Sequence, residues 1–225
     1  MSFADAYLLK AGLRKALIGS EPHPGNLISV TIPVHNESGL ERCLDSFFRC
    51  SCDTFHAEVL LHINARADAP AEILTQNLAT LEEVRTWIAS HPHPDIDFHV
   101  WLDPSFTREE AGVGTARKIL MDEAVRRFGK LDRPDGIIAA MDADAVVESN
   151  YLEALVEHFK GSQTKSSPVD KSAPEGCSIR FEHPLSDQEY SGPEGFPPEV
   201  YAAIAQYELH LRYYLQSLRS TLYPY

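Results

Sequence analysis

The chain has 225 residues, 44% of them hydrophobic, and 33 acidic against 20 basic side chains give it a formal charge of −13. This length and apolar content suit one domain, or one domain with part of another, and exclude a chain that is disordered throughout. A surface this acidic repels phosphate backbones, and we therefore expect no nucleic-acid partner. An anionic ligand would need a bound cation or local basic groups beside it.

Cysteine spacing and the amino-terminal residues indicate the compartment. The four cysteines match no zinc pattern, and we expect free thiols in a reducing cytoplasm. Charged residues interrupt the segment where a signal peptide would need an apolar stretch, and no apolar run is long enough to span a bilayer. The sequence therefore predicts a cytoplasmic protein without a transmembrane segment.

The hydrophobic pattern predicts strands that alternate with helices. A short amphipathic helix is expected over 5–18, strands over 27–34, 58–63, 98–102 and 136–141, and helical apolar faces within 40–48, 73–88, 116–128 and 152–159. This alternation predicts an α/β fold with a mostly parallel sheet flanked by helices. Ligands of such sheets bind beyond the carboxyl ends of the strands.

After residue 160 the pattern changes. A loop containing Ser, Pro and Lys occupies 161–176, a fifth strand is expected over 177–181, and a long helix is expected from near Glu199. Its apolar face, which includes Tyr207 and Leu211, meets no later element, so we expect a homodimer through this helix. We therefore predict two regions, 1–160 and 161–225.

An acidic motif follows the fourth predicted strand. In an extended chain Asp142 and Asp144 point the same way, and two such carboxylates suit Mg²⁺ or Mn²⁺. A metal held there acts as a Lewis acid on a diphosphate leaving group. The alternative is a solvated acidic turn that leads into a helix. The His- and Asp-rich segment 91–99 is interpreted as a surface loop rather than a second metal site.

Three segments together resemble a known family. Residues 30–37 (VTIPVHNE), 114–118 (GTARK) and 140–144 (AMDAD) are similar, in order and spacing, to motifs of family 2 glycosyltransferases. The resemblance covers 27–159 and implies the nucleotide-sugar-binding half of a Rossmann-like GT-A fold, with the part that binds the acceptor apparently lacking.

The resemblance implies roles for individual residues. Pro33, His35 and Glu37 are expected along the nucleoside. Asp142 is expected to serve the ribose, and Asp144 the metal and the diphosphate.

Two further positions leave alternatives open. Arg117 matches the family's Ala-Arg position, although a helix-surface arginine of purely structural role fits equally well. Where the family commonly has an Asp pair that reads the base, this chain has Asn64, which carries no charge but donates and accepts hydrogen bonds. We therefore expect Asn64 beside a base that need not be uracil.

The function implied is metal-dependent, inverting transfer of a sugar from a nucleoside-diphosphate sugar to a carbohydrate or lipid-linked acceptor. The alternatives are a non-catalytic nucleotide-sugar-binding module and a sugar nucleotidyltransferase. The nucleotidyltransferase is less favoured, because the turn after the first strand is acidic and lacks a Gly-rich, basic phosphate loop.

Catalysis by the family needs a general base, commonly from a Glu-Asp motif well downstream of the Asp-x-Asp element. No Glu-Asp pair follows Asp144, and among the acids after it Glu182 is the first candidate for the base. We therefore expect a truncated or inactive form that binds donor but transfers sugar poorly. His183 is interpreted either as an acceptor-side group or as a loop histidine.

Overall fold

A computed structural model describes residues 2–11, 16–160, 174–186 and 195–218. It divides the chain into two compact units, Met1–Pro174 and Glu175–Tyr225. None of the described helices is long and apolar enough to cross a membrane.

The first unit is an α/β structure. Its strands are β1 (Asn26–Val34), β2 (His56–Arg66), β3 (Ile96–Phe106) and β4 (Ile137–Ala140), and its helices are α1 (Asp5–Lys10), α2 (Glu41–Phe48), α3 (Ala71–Ser90), α4 (Val113–Lys130) and α5 (Tyr151–Lys160). The strands form one parallel sheet in the order β3-β2-β1-β4. The predicted α/β class is thus confirmed, and the arrangement is consistent with a Rossmann-like GT-A fold.

The central strands β1 and β2 are buried on both faces, as the β-branched composition of β1 predicts. On one face Val30 and Ile32 pack in a core with residues of α2, α3 and α5. On the other face Leu60 packs against Leu120 and Phe128 of α4. Because β1 lies between β2 and β4, the chain reverses its direction of strand addition there, and a crevice opens beyond the carboxyl ends of these strands.

A buried ion pair joins α4 to the sheet. The Arg127 guanidinium donates through Nε to Glu58 Oε2 at 2.9 Å and through Nη2 to Glu58 Oε1 at 2.5 Å. Both side chains are at most 1% exposed. Ser29 Oγ also donates to Glu58 Oε2, at 3.4 Å, and Arg127 Nη1 donates to the Ser20 carbonyl at 2.8 Å. The carboxylate and the guanidinium therefore satisfy each other away from water, as buried charges require.

The structure corrects three predictions about local elements. The first helix ends at Lys10 and not at residue 18; residues 16–18 are not helical, and 12–15 lie outside the described residues. In α3, Leu78 was placed on the inner face but is 53% exposed, whereas Asn77 and Thr80 are fully buried. No strand forms over 177–181. Apolar periodicity did not predict the inner face of α3, because Asn77 and Thr80 turn inward to form hydrogen bonds with buried backbone groups.

The second unit contains helix α6 (Pro198–Leu218), close to where the sequence predicts it, and residues 175–186, which form neither helix nor strand. Within this unit His183 Nδ1 lies 2.6 Å from Glu208 Oε1, and the His183 ring packs edge-on against Tyr207. Tyr207 is itself 52% exposed, and several other large apolar side chains of α6 are exposed too.

The buried pair predicts a large, specific effect on stability. In Arg127→Met, Glu58 remains as an uncompensated buried charge, and we expect the free energy of unfolding to fall by about 3–5 kcal/mol. Lys130→Met on the same helix is the control, because Lys130 pairs with Glu21 at the surface and we expect a change of at most about 1 kcal/mol. Urea denaturation measures both, and equal losses in the two variants would contradict the role given to the pair.

Candidate functional site

A cleft of about 500 Å³ lies beyond the carboxyl ends of β1 and β2. Six of the residues singled out in the sequence line it, and they come from three separate segments of the chain: Pro33, His35, Glu37, Asn64, Asp142 and Asp144. The seventh, Arg117 of α4, is ion-paired with Asp142. Parallel pairing on both sides of β1 places the segments together, because the carboxyl ends of parallel strands meet at one edge of a sheet.

The turn after β1 is held in an unusual backbone conformation. Asn36 has a φ of +53° and Gly39 a φ of +71°, both in the left-handed region that few residues other than Gly and Asn adopt readily. The His35 ring nitrogen Nδ1 lies 2.8 Å from the carbonyl oxygen of Asn64. Because a carbonyl only accepts, Nδ1 is the donor in this contact.

Helix α3 supports this turn with side chains that the sequence analysis missed. Asn77 accepts from the Asn36 backbone N–H at 2.8 Å and donates to the Asn64 carbonyl at 3.0 Å. One turn further along, Thr80 donates to the Glu37 carbonyl at 2.5 Å. The available signal was the pair of polar residues three apart, which lie on one helix face among apolar ones.

The side chain of Asn64 is largely committed to the protein. Its amide nitrogen donates to the Val34 carbonyl at 3.0 Å and to the His62 carbonyl at 3.3 Å. The side chain is buried at the floor of the cleft. Its donors therefore join the ends of β1 and β2, and its carbonyl oxygen is the atom that remains for a ligand.

The two acids of the Asp-x-Asp motif reach the cleft from a turn, not from an extended strand. Strand β4 ends at Ala140, and the Ala145 N–H donates to the Asp142 carbonyl at 3.3 Å. Ala143, between the acids, is buried in the core, while Asp142 and Asp144 are exposed. Strand alternation was thus the wrong reason for placing both carboxylates on one side; the turn does so by burying the residue between them.

Negative charge accumulates in the cleft. The pKa of Glu37 is raised above its ordinary value, first by burial and then by the charge of Asp144, although His35 lowers it. Burial, with a smaller effect of Asp144, also raises the pKa of the Cys43 thiol to about 12. Asp142 has a cationic partner in Arg117. The negative charge of Asp144, in contrast, raises the pKa of Glu37 and of Cys43. Oxygen ligands with excess negative charge fit a hard divalent cation.

The wall of the cleft formed at the start of α4 has a different character. Ala111, Gly112 and Val113, at the start of α4, line it. Gly112 precedes the helix with a φ of +147°, which side chains rarely tolerate. The amino end of a helix carries partial positive charge and unpaired N–H groups, so this wall favours an anionic ligand.

A second group of potential metal ligands lies on the sheet, near the amino ends of the strands. Glu58, Asp97 and His99 each offer a ligand atom, all within 4.8 Å of one another. The loop interpretation of segment 91–99 was wrong for 96–97, because β3 begins at Ile96, two residues before the predicted strand. Both Glu58 oxygens accept from Arg127, so a metal ion there would have to compete with a buried ion pair.

The candidate base Glu182 lies in the second unit. Its carboxylate is ion-paired with Arg180 and lies 3.6 Å from an Arg212 nitrogen. The neighbouring His183 is paired with Glu208. Glu182 thus shares its Oε1 oxygen between two guanidinium groups.

The described cysteines Cys43, Cys50, Cys52 and Cys177 are all free thiols, as predicted. The first three are buried, and burial raises the pKa of each. Thiols that stay protonated are poor nucleophiles. These three cysteines therefore behave as small apolar residues of the core.

The support from α3 predicts that Asn77 contributes more to stability than its neighbour. Asn77→Ala leaves the Asn36 N–H without its partner, and we expect a loss of about 1–3 kcal/mol in the free energy of unfolding. Leu78→Ala, at the exposed position, is the control, with an expected change within about 0.5 kcal/mol. Chemical denaturation measures the free energy of unfolding of both variants. A larger loss in Leu78→Ala than in Asn77→Ala would contradict the observed orientation of α3 and support the inner face predicted from apolar periodicity.

The raised pKa of Glu37 predicts a pH dependence of stability. The folded state holds a proton that the unfolded chain has already released, so this stabilisation is present at low pH and lost as pH rises through the folded-state pKa. In Glu37→Gln that loss disappears, and the metal-free variant gains stability relative to the parent as pH is raised from about 4 to 8. Urea midpoints across this range measure the difference. Glu157→Gln, an exposed acid on α5, is the control, and parallel pH profiles for Glu37→Gln and the parent would refute the coupling.

Comparison with known proteins adds little to this geometry. No family model matches the chain, and no curated protein matches it. Among solved structures, the chain is similar to a crystal structure of S. aureus TarS, residues 1–349, with 16% identity and a TM-score of 0.39. The similarity covers 59% of this chain and 32% of that one, so the chain spans about a third of the TarS structure. At this TM-score the functional assignment depends on the chain's own residues.

Proposed function

We propose that the first unit binds a nucleoside-diphosphate sugar together with a divalent cation, and that the protein is a metal-dependent glycosyltransferase of the family 2 type. One observation carries the proposal: residues from two of the motif segments, 30–37 and 140–144, and from the end of β2 line a single cleft at the carboxyl edge of a parallel sheet, and Arg117 of the third segment is ion-paired with Asp142 at that cleft. Such an edge is where ligands of these folds bind.

The nucleoside is proposed to lie along Pro33, His35 and Glu37, on the turn that α3 supports. Asp142 serves the ribose, and its partner Arg117 stays close enough to balance the charge of the acid. The diphosphate lies toward Asp144 and the amino end of α4.

The cation follows from the charges of the cleft. The chain carries a formal charge of −13, and Glu37 and Asp144 raise the electrostatic cost of bringing a diphosphate into the cleft. Asp144 would hold Mn²⁺ or Mg²⁺, with Glu37 beside it. Such an ion supplies charge neutralisation of the diphosphate as it leaves the sugar.

The remaining parts of the proposal concern the second unit and the acceptor. We propose that this unit begins the acceptor-binding region, that the acceptor is a carbohydrate or a lipid-linked sugar, and that transfer inverts the anomeric centre. We also propose that the exposed apolar side chains of α6, such as Leu209, Tyr213 and Leu215, support a homodimer.

Asp144→Asn tests the binding site directly. By isothermal titration, we expect nucleoside diphosphates to bind the parent weakly without a divalent cation and more tightly with Mn²⁺. The variant should lose roughly tenfold or more of the Mn²⁺-dependent affinity, because a neutral amide is a poorer ligand for a hard cation. Asp53→Asn makes the same change outside the cleft, just before β2, and should behave as the parent does. Unchanged Mn²⁺-dependent affinity in Asp144→Asn would rule out the proposed metal site.

A further inference from the structure

The cleft contains one cation beside the proposed path of the nucleoside that the proposed function leaves unused. Arg66 is the last residue of β2, two positions beyond Asn64, and lines the same cleft. Because the amide nitrogen of Asn64 is occupied by strand carbonyls, a donor that contacts the edge of a base has to come from elsewhere. Arg66 is placed to supply it.

The guanidinium of Arg66 makes a two-point ion pair with Asp68. Its Nε donates to Asp68 Oδ1 at 2.6 Å, and its Nη2 donates to Asp68 Oδ2. A guanidinium has five N–H groups in a plane, and this two-point contact uses the edge formed by Nε–H and one Nη2–H. The Nη1 and Nη2 hydrogens on the other edge remain side by side, as two parallel donors.

Two parallel donors distinguish the bases by their acceptors. Guanine presents O6 and N7 next to each other, which an arginine contacts with two hydrogen bonds. Uracil and thymine present one carbonyl, O4, at the corresponding edge. At the same edge adenine presents a single acceptor, N7, beside an amino group, and cytosine presents an amino group alone. An arginine has no acceptor to offer either amino group.

We propose that Arg66, oriented by Asp68, is the residue that determines base specificity, and that it selects a guanosine-diphosphate donor. The inference rests on the proposed function, since it assumes that the nucleotide occupies this cleft. It assigns the base-reading role to Arg66 in place of Asn64, whose amide fixes the ends of β1 and β2.

Titration of the chain with the diphosphates of guanosine, uridine, thymidine, adenosine and cytidine, each with Mn²⁺, tests the proposal. We expect the parent to bind GDP tightest, with ADP and CDP weaker by roughly 5- to 150-fold, the range that one arginine–guanine pair gives. Arg66→Met should bring the five affinities together, mainly by weakening GDP. Asp68→Asn should reduce the difference in affinity between GDP and the other four diphosphates, while GDP still binds with Mn²⁺. The guanidinium of Arg66 keeps its charge in this variant but loses the carboxylate that orients it.

Arg85→Met is the matched control, since Arg85 is an exposed arginine of α3 that pairs with Glu82 and does not line the cleft. Urea denaturation of each variant confirms that the fold is kept. A parent that binds another base tightest, or an Arg66→Met variant that keeps the parent's ranking, would overturn the assignment while the proposed function stands. A parent that binds none of the five diphosphates, with or without Mn²⁺, would overturn both.

Discussion

The parallel pairing of β1 with β2 on one side and β4 on the other is the constraint on which the rest of the structure depends. The chain adds β2 and β3 in one direction and then returns to place β4 against the free edge of β1. No loop can cover the end of β1 from both sides, so a crevice stays open there. The turn after β1, the end of β2 and the Asp-x-Asp turn after β4 all meet at this crevice. Their proximity is a consequence of strand order and not of any direct attraction between them.

The crevice is shaped by buried amides, and the ionisable groups project from that frame. Asn64 and Asn77 pair with backbone groups of β1, β2 and the turn between β1 and α2, where a left-handed residue would otherwise leave an N–H unsatisfied. Neutral amides suit this task, because they donate and accept without adding charge to a cleft that is already acidic. The frame is therefore uncharged, and the charges of the cleft belong to the ionisable side chains that project from it.

Charge is distributed differently at the two ends of the sheet. At the amino end the Glu58 carboxylate is matched within the protein by Arg127, and the pair holds α4 against the sheet. At the carboxyl end the negative charges of Glu37 and Asp144 repel each other, and within the described part of the chain no internal pairing of the two acids offsets the electrostatic cost. Charge that is compensated internally stabilises packing, whereas charge left uncompensated in a cleft costs stability and becomes favourable when a cation binds. This contrast separates a structural cluster from a candidate site more clearly than the residue types do, since both contain acids.

The sequence by itself determined the class of fold and indicated six of the residues that line the cleft. Continuous apolar strands alternate with amphipathic helices only in such folds, and polar residues directly after buried strands have few other places to go. The tertiary structure decided what local patterns do not encode. It turned Asn77 and Thr80 inward and Leu78 outward, because the backbone groups that these polar side chains satisfy lie far away in sequence. It gave Asn64 a structural role and left Arg66 facing the cleft, and it paired Arg127 with Glu58 across 69 positions. Hydrogen bonds and ion pairs between distant segments depend on where the sheet brings those segments, and no periodicity within one segment records that position.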